Sequence, residues 1–409
     1  MFKKYLSSEL GKGAIILFVT MNIFNVLNYL FHFAMAREWM LGPEGYGTLA
    51  VLMSIIYIYG IPTEAIQNII TKLTSKLNVK HENKKIKFLI NKSLKKGFKI
   101  AIIIFLFSII ISIFLSYFLR INFWLILLTN LIVFISFSSP VARGVLQGRK
   151  KFISLGNSMI IESCLKLFFA ISLVLFGFKV FGAMIGVLLG VFAGFIFSLY
   201  FSRDILSEKE KKVSFPKAYS MGIPYFLVML AILLVFSLDI ILAKRFFAPE
   251  LAGKYAVLSM LGKMIYLGTF GISKAMFPLT SERKETNQNS SGLFYKSLIL
   301  IIIICVISVL VYAMFPKLII SILFGSVYLE MAPYLVYSAI ALSFLSLTNL
   351  VLIYGLSTDK LRKTRFLFIF VVIEVVLLSL FHDTILQYIT SFMVSNIIMF
   401  IGSYFFLKR

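Results

Sequence analysis

The chain has 409 residues, is 60% hydrophobic and has a mean hydropathy of +0.96. No water-soluble domain has an interior large enough for that much apolar surface, so the composition excludes a soluble enzyme or binding module. The formal net charge of +24 could signal nucleic acid, but the lysines and arginines sit in short connections between apolar runs, which is a membrane-orientation pattern and calls for no nucleic-acid partner.

The apolar runs place twelve spans at about 13–35, 46–70, 98–119, 121–142, 153–176, 180–201, 219–243, 252–279, 296–315, 330–355, 366–382 and 385–406. A chain in lipid must satisfy its backbone polar groups internally, and runs of this length without strict alternation form helices. The fold class is thus all-α integral membrane. With the N-terminus inside, the even connections fall in the cytoplasm and are rich in Lys and Arg, notably 71–97, 143–152 and 202–218, whereas the odd ones are poor. This asymmetry predicts a multi-pass protein of the cell membrane with both termini cytoplasmic.

In chain order, the first span carries Asn22, Asn25, Asn28 and His32 at spacings of 3, 3 and 4, which keeps them on one helix face. Ala34-Met35-Ala36 is like a signal-peptidase site, but the long Asn-bearing run before it reads as a retained helix. The second span opens with Leu41-Gly-Pro-Glu-Gly-Tyr-Gly-Thr-Leu-Ala-Val-Leu52. Six of its residues, Pro43, Glu44, Gly47, Ala50, Val51 and Leu52, recur as Pro249, Glu250, Gly253, Ala256, Val257 and Leu258, all at an offset of 206. The offset is about half the chain, so the sequence reads as two related halves, 1–206 and 207–409. Pro and Glu suit the first turn of a helix, and Gly one turn later permits a close helix crossing.

Further into the second span, Gly60 and Pro62 interrupt the helix, and Glu64, Gln67, Asn68 and Thr71 share a face. This is either a transport-site break beside a carboxylate or a kink near a helix end. The basic stretch 71–97 reads as an orientation signal or as an amphipathic helix on anionic lipid. Glu162 and Lys166 form an i, i+4 pair, which is either a salt bridge or part of a cavity. Asp239 has Lys244 and Arg245 nearby in sequence as pairing partners.

The eighth span is the most informative. Tyr255, Ser259, Lys263, Tyr266 and Lys274 occupy about a third of the helix circumference. Lys274 can snorkel, but Lys263 is near mid-span, so it needs an anionic ligand or a buried carboxylate. Glu374 is alone in the eleventh span, and Lys263 is a candidate partner. Gln387, Ser391 and Ser395 form a weaker stripe in the last span. Cys164 and Cys305 lie in apolar runs, and no metal or catalytic constellation, cofactor motif or nucleotide-binding loop is found.

Gly42-Pro-Glu-Gly-Tyr-Gly47, Arg143-Gly-Val-Leu-Gln-Gly148, Asp239 with Pro249-Glu250 and Gly253-Lys-Tyr255, and Phe277-Pro278 together resemble the polysaccharide transporter branch of the multidrug/oligosaccharidyl-lipid/polysaccharide (MOP) superfamily, the branch of O-antigen-type oligosaccharide flippases. The resemblance runs along essentially the whole chain. It implies about twelve transmembrane helices in two pseudo-symmetric six-helix lobes around a central cavity. It also implies alternating access and a polyprenyl-pyrophosphate-linked oligosaccharide as cargo, moved from the inner to the outer leaflet. Twelve spans are fewer than the fourteen of relatives that flip the peptidoglycan precursor.

The expected cavity residues are Lys263, Lys274, Lys166, Asn22, Asn25, His32, Ser259 and Tyr266, with Glu64, Asp239 and Glu374 as candidates for coupling to Na+ or H+. Membrane lipid and polysaccharide-assembly enzymes are the further partners expected. Two alternatives stay open, an ion-coupled multidrug exporter and a membrane-embedded polymerase or glycosyltransferase. The lysine stripe counts against a cationic drug. The lack of a large extramembrane loop counts against the enzyme.

Overall fold

The computed structural model describes residues 9–213, 223–286, 288–358 and 364–408. These residues are helical, and no strand occurs among them. Lys217 of the basic connection 202–218, and Lys360, Arg362 and Lys363 of the basic connection 356–365, lie outside the described residues. The helices are α1 (Glu9–Ala36), α2 (Gly42–Tyr59), α3 (Ile61–Val79), α4 (Asn83–Leu119), α5 (Phe123–Asn130), α6 (Ile132–Gly148), α7 (Phe152–Leu173) and α8 (Lys179–Tyr200). A short α9 (Arg203–Leu206) precedes α10 (Ile223–Phe246), α11 (Pro249–Glu285), α12 (Ser291–Met314), α13 (Pro316–Leu323), α14 (Leu335–Ser357), α15 (Leu367–Leu380) and α16 (Ile385–Lys408).

Among the described residues nine helical segments are long and apolar enough to cross a membrane. One of them, Phe152–Tyr200, is two passes: a π-helical turn over Val174–Phe178 ends at Gly177 with φ 89° and Lys179 with φ 46°, and α7 and α8 then pack along each other. The α1 and α15 helices occupy the two remaining expected spans, which completes the twelve. The interruption at Gly60 is mild. Its backbone stays helical (φ −71°, ψ −15°) and its N–H still bonds to the Ile56 carbonyl at 2.9 Å, so α2 and α3 form one kinked pass, with Pro62 in the first turn of α3 where it sacrifices no bond.

No separate surface helix occupies 71–97. Its basic residues lie on the extension of α3 to Val79, a turn at His81 (φ 53°), and the first four turns of α4, a single 37-residue helix. The segment after α9 is tied to that part of α4: Lys87 Nζ donates to the Leu206 carbonyl at 2.7 Å, and the Lys211 N–H to the Lys84 carbonyl at 3.1 Å.

The chain divides into two compact units, Met1–Gly45 with Ile55–Gly222, and Tyr46–Ser54 with Ile223–Arg409. In the first, α6 is the most enclosed helix and packs on α3, α4 and α8, while α7 packs on α1 and α8. Small residues set these distances. Gly144 and Gly148 of α6 lie against the carbonyls of Gln67 and Thr71 in α3, and a Cβ at either would stand 2.9 or 2.7 Å from those oxygens. Gln67 and Thr71 then bond to Gln147 at 2.9 and 3.3 Å. Half of the polar face read on the second span therefore joins two helices. In the second unit α14 is buried along nearly its whole length and packs on α11, α16 and α12.

The repeated motif behaves as its chemistry requires. Pro43 and Pro249 sit in the first turns of α2 and α11, followed by Glu44 and Glu250. The two repeat glycines pack on each other: a Cβ on Gly47 would stand 2.7 Å from the Gly253 Cα.

Candidate functional site

The second unit holds a buried polar cluster built on α10, α11, α15 and α16. Asp239 comes from α10 and is fully buried; Lys263 comes from α11 and is 1% exposed. Lys263 Nζ lies 3.4 Å from Asp239 Oδ1. The other carboxylate oxygen, Oδ2, accepts from the Ser259 hydroxyl and from the Tyr255 hydroxyl, the latter at 3.4 Å. Tyr388 of α16 donates to the Asp239 backbone carbonyl at 2.6 Å. The spacings 255, 259, 263 put all three α11 groups on one stripe, one turn apart.

The ammonium of Lys263 also stands 4.7 Å from the centre of the Phe236 ring, one turn before Asp239 on α10, a cation–π geometry. Tyr266 packs on the same ring with centroids 5.1 Å apart.

Glu374 of α15 completes the cluster. It is fully buried, and neither carboxylate oxygen has a hydrogen-bond partner. Its electrostatic neighbours are Asp239 and Lys263. Lys263 thus pairs with Asp239 alone, and Glu374 lies within their electrostatic reach away from water, where an unmatched charge is expensive.

Lys244 and Arg245, the nearest cations in sequence, are not the partners of Asp239. Lys244 donates to Thr48 at 3.0 Å. On a helix a residue five positions on lies about 140° around the axis, so Lys244 points away from Asp239. Lys263 comes from the next helix, which packs directly on α10.

The first unit has a second cluster, on α1, α6, α7 and α8. Glu162 pairs with the Arg143 guanidinium and not with Lys166. Lys166, 4% exposed, donates to the Asn28 side-chain oxygen, with its ammonium 4.6 Å from the centre of the Phe31 ring. The Asn28 amide nitrogen is held by the Phe24 carbonyl at 2.7 Å, which turns its oxygen to the lysine. Glycines on α8 admit these groups. A Cβ on Gly190 would stand 2.7 Å from the Glu162 carbonyl, and one on Gly194 would stand 3.0 Å from the Arg143 guanidinium.

The structure gathers Lys263, Ser259, Asp239 and Glu374 into one cluster, with Tyr266 at its edge through Phe236. Lys274 is eleven residues further along α11, half-buried with its ammonium 4.7 Å from the centre of the Phe270 ring. In the first unit Lys166 and Asn28 meet, His32 is buried edge-on against Phe31 at 5.3 Å, Asn25 is half-buried and Asn22 is exposed. Glu64 is half-buried on α3. Sequence reasoning passed over Tyr388 and Arg143 as site members, and it placed Asn28 on the polar face of the first span without counting it among the expected cavity residues. Tyr388 had a signal, since 388, 391 and 395 follow helical spacing, and Ser391 and Ser395 are also buried.

A family model described as polysaccharide biosynthesis protein matches residues 10–284. Among solved structures, the fold is shared with the inward-facing form of a MATE multidrug resistance transporter of the MOP superfamily, at 14% identity over 97% of this chain and 98% of that one, TM-score 0.76. The outward-facing form of such a transporter gives a TM-score of 0.68 at 14% identity, over 97% of this chain and 94% of that one. A MOP superfamily transporter from Pyrococcus furiosus, described by the reversed polarity of its binding pocket and a suggested different function, gives 0.65 at 14% identity, over 97% and 96%. No curated protein sequence matches the chain. With the family model covering well over half of its length, this multi-pass membrane protein belongs to the polysaccharide biosynthesis protein family, and it shares its fold end to end with transporters of the MOP superfamily.

Proposed function

We propose that the protein moves a polyprenyl-pyrophosphate-linked oligosaccharide from the inner to the outer leaflet of the cell membrane by alternating access, driven by a Na+ or H+ gradient. The observation that carries this reading is the pair of buried membrane lysines, Lys166 and Lys263, each set over a phenylalanine ring. A pyrophosphate crossing hydrocarbon needs a wet, cationic path, and ammonium groups retained at this depth are the groups to line it. Lys274, Ser259, Tyr266, Asn22, Asn25 and His32 extend the path. Asp239 and Glu374 are its coupling carboxylates, with Glu64 as a third. The halves 1–206 and 207–409 act as the two moving lobes, and both termini face the cytoplasm, as the basic connections direct.

The family match to polysaccharide biosynthesis supports a glycan cargo. The likeness to multidrug transporters supports only the fold. The protein acts as a transporter and not as an enzyme, handing cargo to membrane-bound polysaccharide-assembly enzymes.

The test is reconstitution in liposomes with a fluorescent polyprenyl-pyrophosphate oligosaccharide. The expected result is protein-dependent appearance of the label in the opposite leaflet, slowed at least about tenfold by Lys166→Gln and by Lys263→Gln. Unchanged rates in both variants would remove the two lysines from the path, and the lack of any protein-dependent movement of the label would remove the cargo assignment. Release of free or polymerised glycan by the purified protein would replace transport with enzymatic activity.

A further inference from the structure

We infer that Lys263 is a transferable counter-ion, bonded to Asp239 in the conformation described here and to Glu374 in the alternative one. Three observations carry this. First, the ammonium holds one of two buried carboxylates whose helices, α10 and α15, pack on each other, and only that one has hydrogen bonds. Second, Asp239 has hydrogen bonds besides its contact with the lysine. Ser259 and Tyr255 both donate to Oδ2, while the lysine holds Oδ1 at 3.4 Å, the long end of an ion pair. Asp239 therefore stays hydrogen-bonded when the lysine leaves. Third, Glu374 is fully buried with both oxygens unsatisfied, a cost that a native protein retains where a second arrangement satisfies the group.

The elements bearing the two acceptors are distinct. Asp239 is on α10, Glu374 on α15, and Lys263 on α11. A shift of α10 against α15 changes which carboxylate the lysine tip reaches, and packed helices move between discrete arrangements and do not deform continuously. Nothing is made or broken covalently; one ion pair replaces another. The flexible four-carbon stem of a lysine makes this cheap in a way the rigid fork of an arginine would not. Tyr388, which donates to the Asp239 carbonyl, fixes the α10 backbone and leaves the side chain free to change partners.

The inference deepens the proposed function and rests on it in one respect only: if Asp239 and Glu374 are the coupling carboxylates, the one without the lysine is the one that takes the coupling cation. The exchange itself needs no cargo and is tested without it.

The full-length protein, with Cys164→Ser and Cys305→Ala, is spin-labelled through Lys80→Cys and Thr286→Cys, and the distance distribution is measured in lipid nanodiscs without cargo. Asp239→Asn leaves Glu374 as the only carboxylate acceptor and Glu374→Gln leaves Asp239, so the two are expected to shift the ratio of conformers in opposite directions, each by about fivefold or more. In a Lys263→Gln background both shifts are expected to vanish. Glu374→Asp, which keeps the charge, is expected to lie near the parent, and it carries the comparison with Glu374→Gln should Lys263→Gln fail to fold.

Shifts in one direction, or none, would overturn the exchange. Opposite shifts that persist in Lys263→Gln, or a Glu374→Asp variant that behaves as Glu374→Gln, would overturn it as well. A protein that fails here can still move lipid-linked oligosaccharide in liposomes, and one that passes can fail to, so the two readings fall separately.

Discussion

Lys263 reaches across from α11 to hold Asp239 of α10, with both side chains sealed from solvent. Buried pairs of this kind are more costly to half-remove than to remove. Lys263→Ala leaves a buried, uncompensated carboxylate and is expected to cost about 3–5 kcal/mol. Lys263→Gln combined with Asp239→Asn should recover much of that loss. Thermal unfolding of the parent, Lys263→Gln, Asp239→Asn and the double variant in one detergent gives the comparison; a double variant as unstable as the sum of its parts would show that the two side chains act independently.

The Gly47–Gly253 contact sets a second expectation. A Cβ on Gly47 would stand 2.7 Å from the Gly253 Cα and 2.9 Å from its nitrogen, both backbone atoms that cannot swing aside. Gly47→Ala is expected to destabilise by about 1–3 kcal/mol through overpacking, despite the helix-forming advantage of alanine. Gly268→Ala, on α11 with open space around it, should be neutral or stabilising by up to about 1 kcal/mol. Equal melting temperatures for the two variants would contradict the close crossing.

Glycines also gate the other cluster. The Cβ of Gly194→Ala would press on the Arg143–Glu162 pair, at 3.0 Å from the guanidinium. Larger side chains at this position should separate α8 from α7 and break the pair, so Gly194→Leu is expected to lower the melting temperature more than Gly292→Ala, whose added methyl meets nothing. In the Gly194→Leu background, Glu162→Gln should then cost less than it does in the parent.

Acid should loosen the connection after α8. Asp204 accepts from Arg149 at 3.0 Å and from Lys151 at 3.1 Å. Partial burial raises the Asp204 carboxyl, but those hydrogen bonds and charges outweigh it and lower the group from 3.8 to about 2. Because the folded value lies below the unfolded one, the stabilisation is fully present above about pH 4 and is lost as pH falls toward 2. The carboxylate is about half exposed, so the effect stays under about 1 kcal/mol. Melting curves of the parent and Asp204→Asn should differ at pH 7 and converge near pH 2.

What could be read from the sequence follows the range of the forces involved. The twelve passes, the repeat and the glycine crossing rest on local composition and fixed spacing, and the structure carries them all. That Lys263 needs a buried acidic partner was legible because a mid-span ammonium is costly wherever its neighbours lie. The identity of that partner was not, since 24 residues separate Lys263 from Asp239 while Lys244 is only five away on the wrong side of the helix. Glu162 misleads in the same way. Lys166 is one turn on, yet Arg143 arrives from another helix with a forked donor better matched to a carboxylate. Partner choice among buried charges is a tertiary decision, and spacing along one helix does not contain it.

The meeting of Gly47 with Gly253 has a consequence for how the two halves can change over time. They are the same position in two copies of one motif, so enlargement of either is felt by the other's backbone. Drift at this point is yoked: neither copy can admit a side chain unless the helices carrying both move apart. Around Lys263 no such tie exists, and there the copies have gone separate ways, one toward a buried ammonium, the other toward Gly60, Pro62 and Glu64.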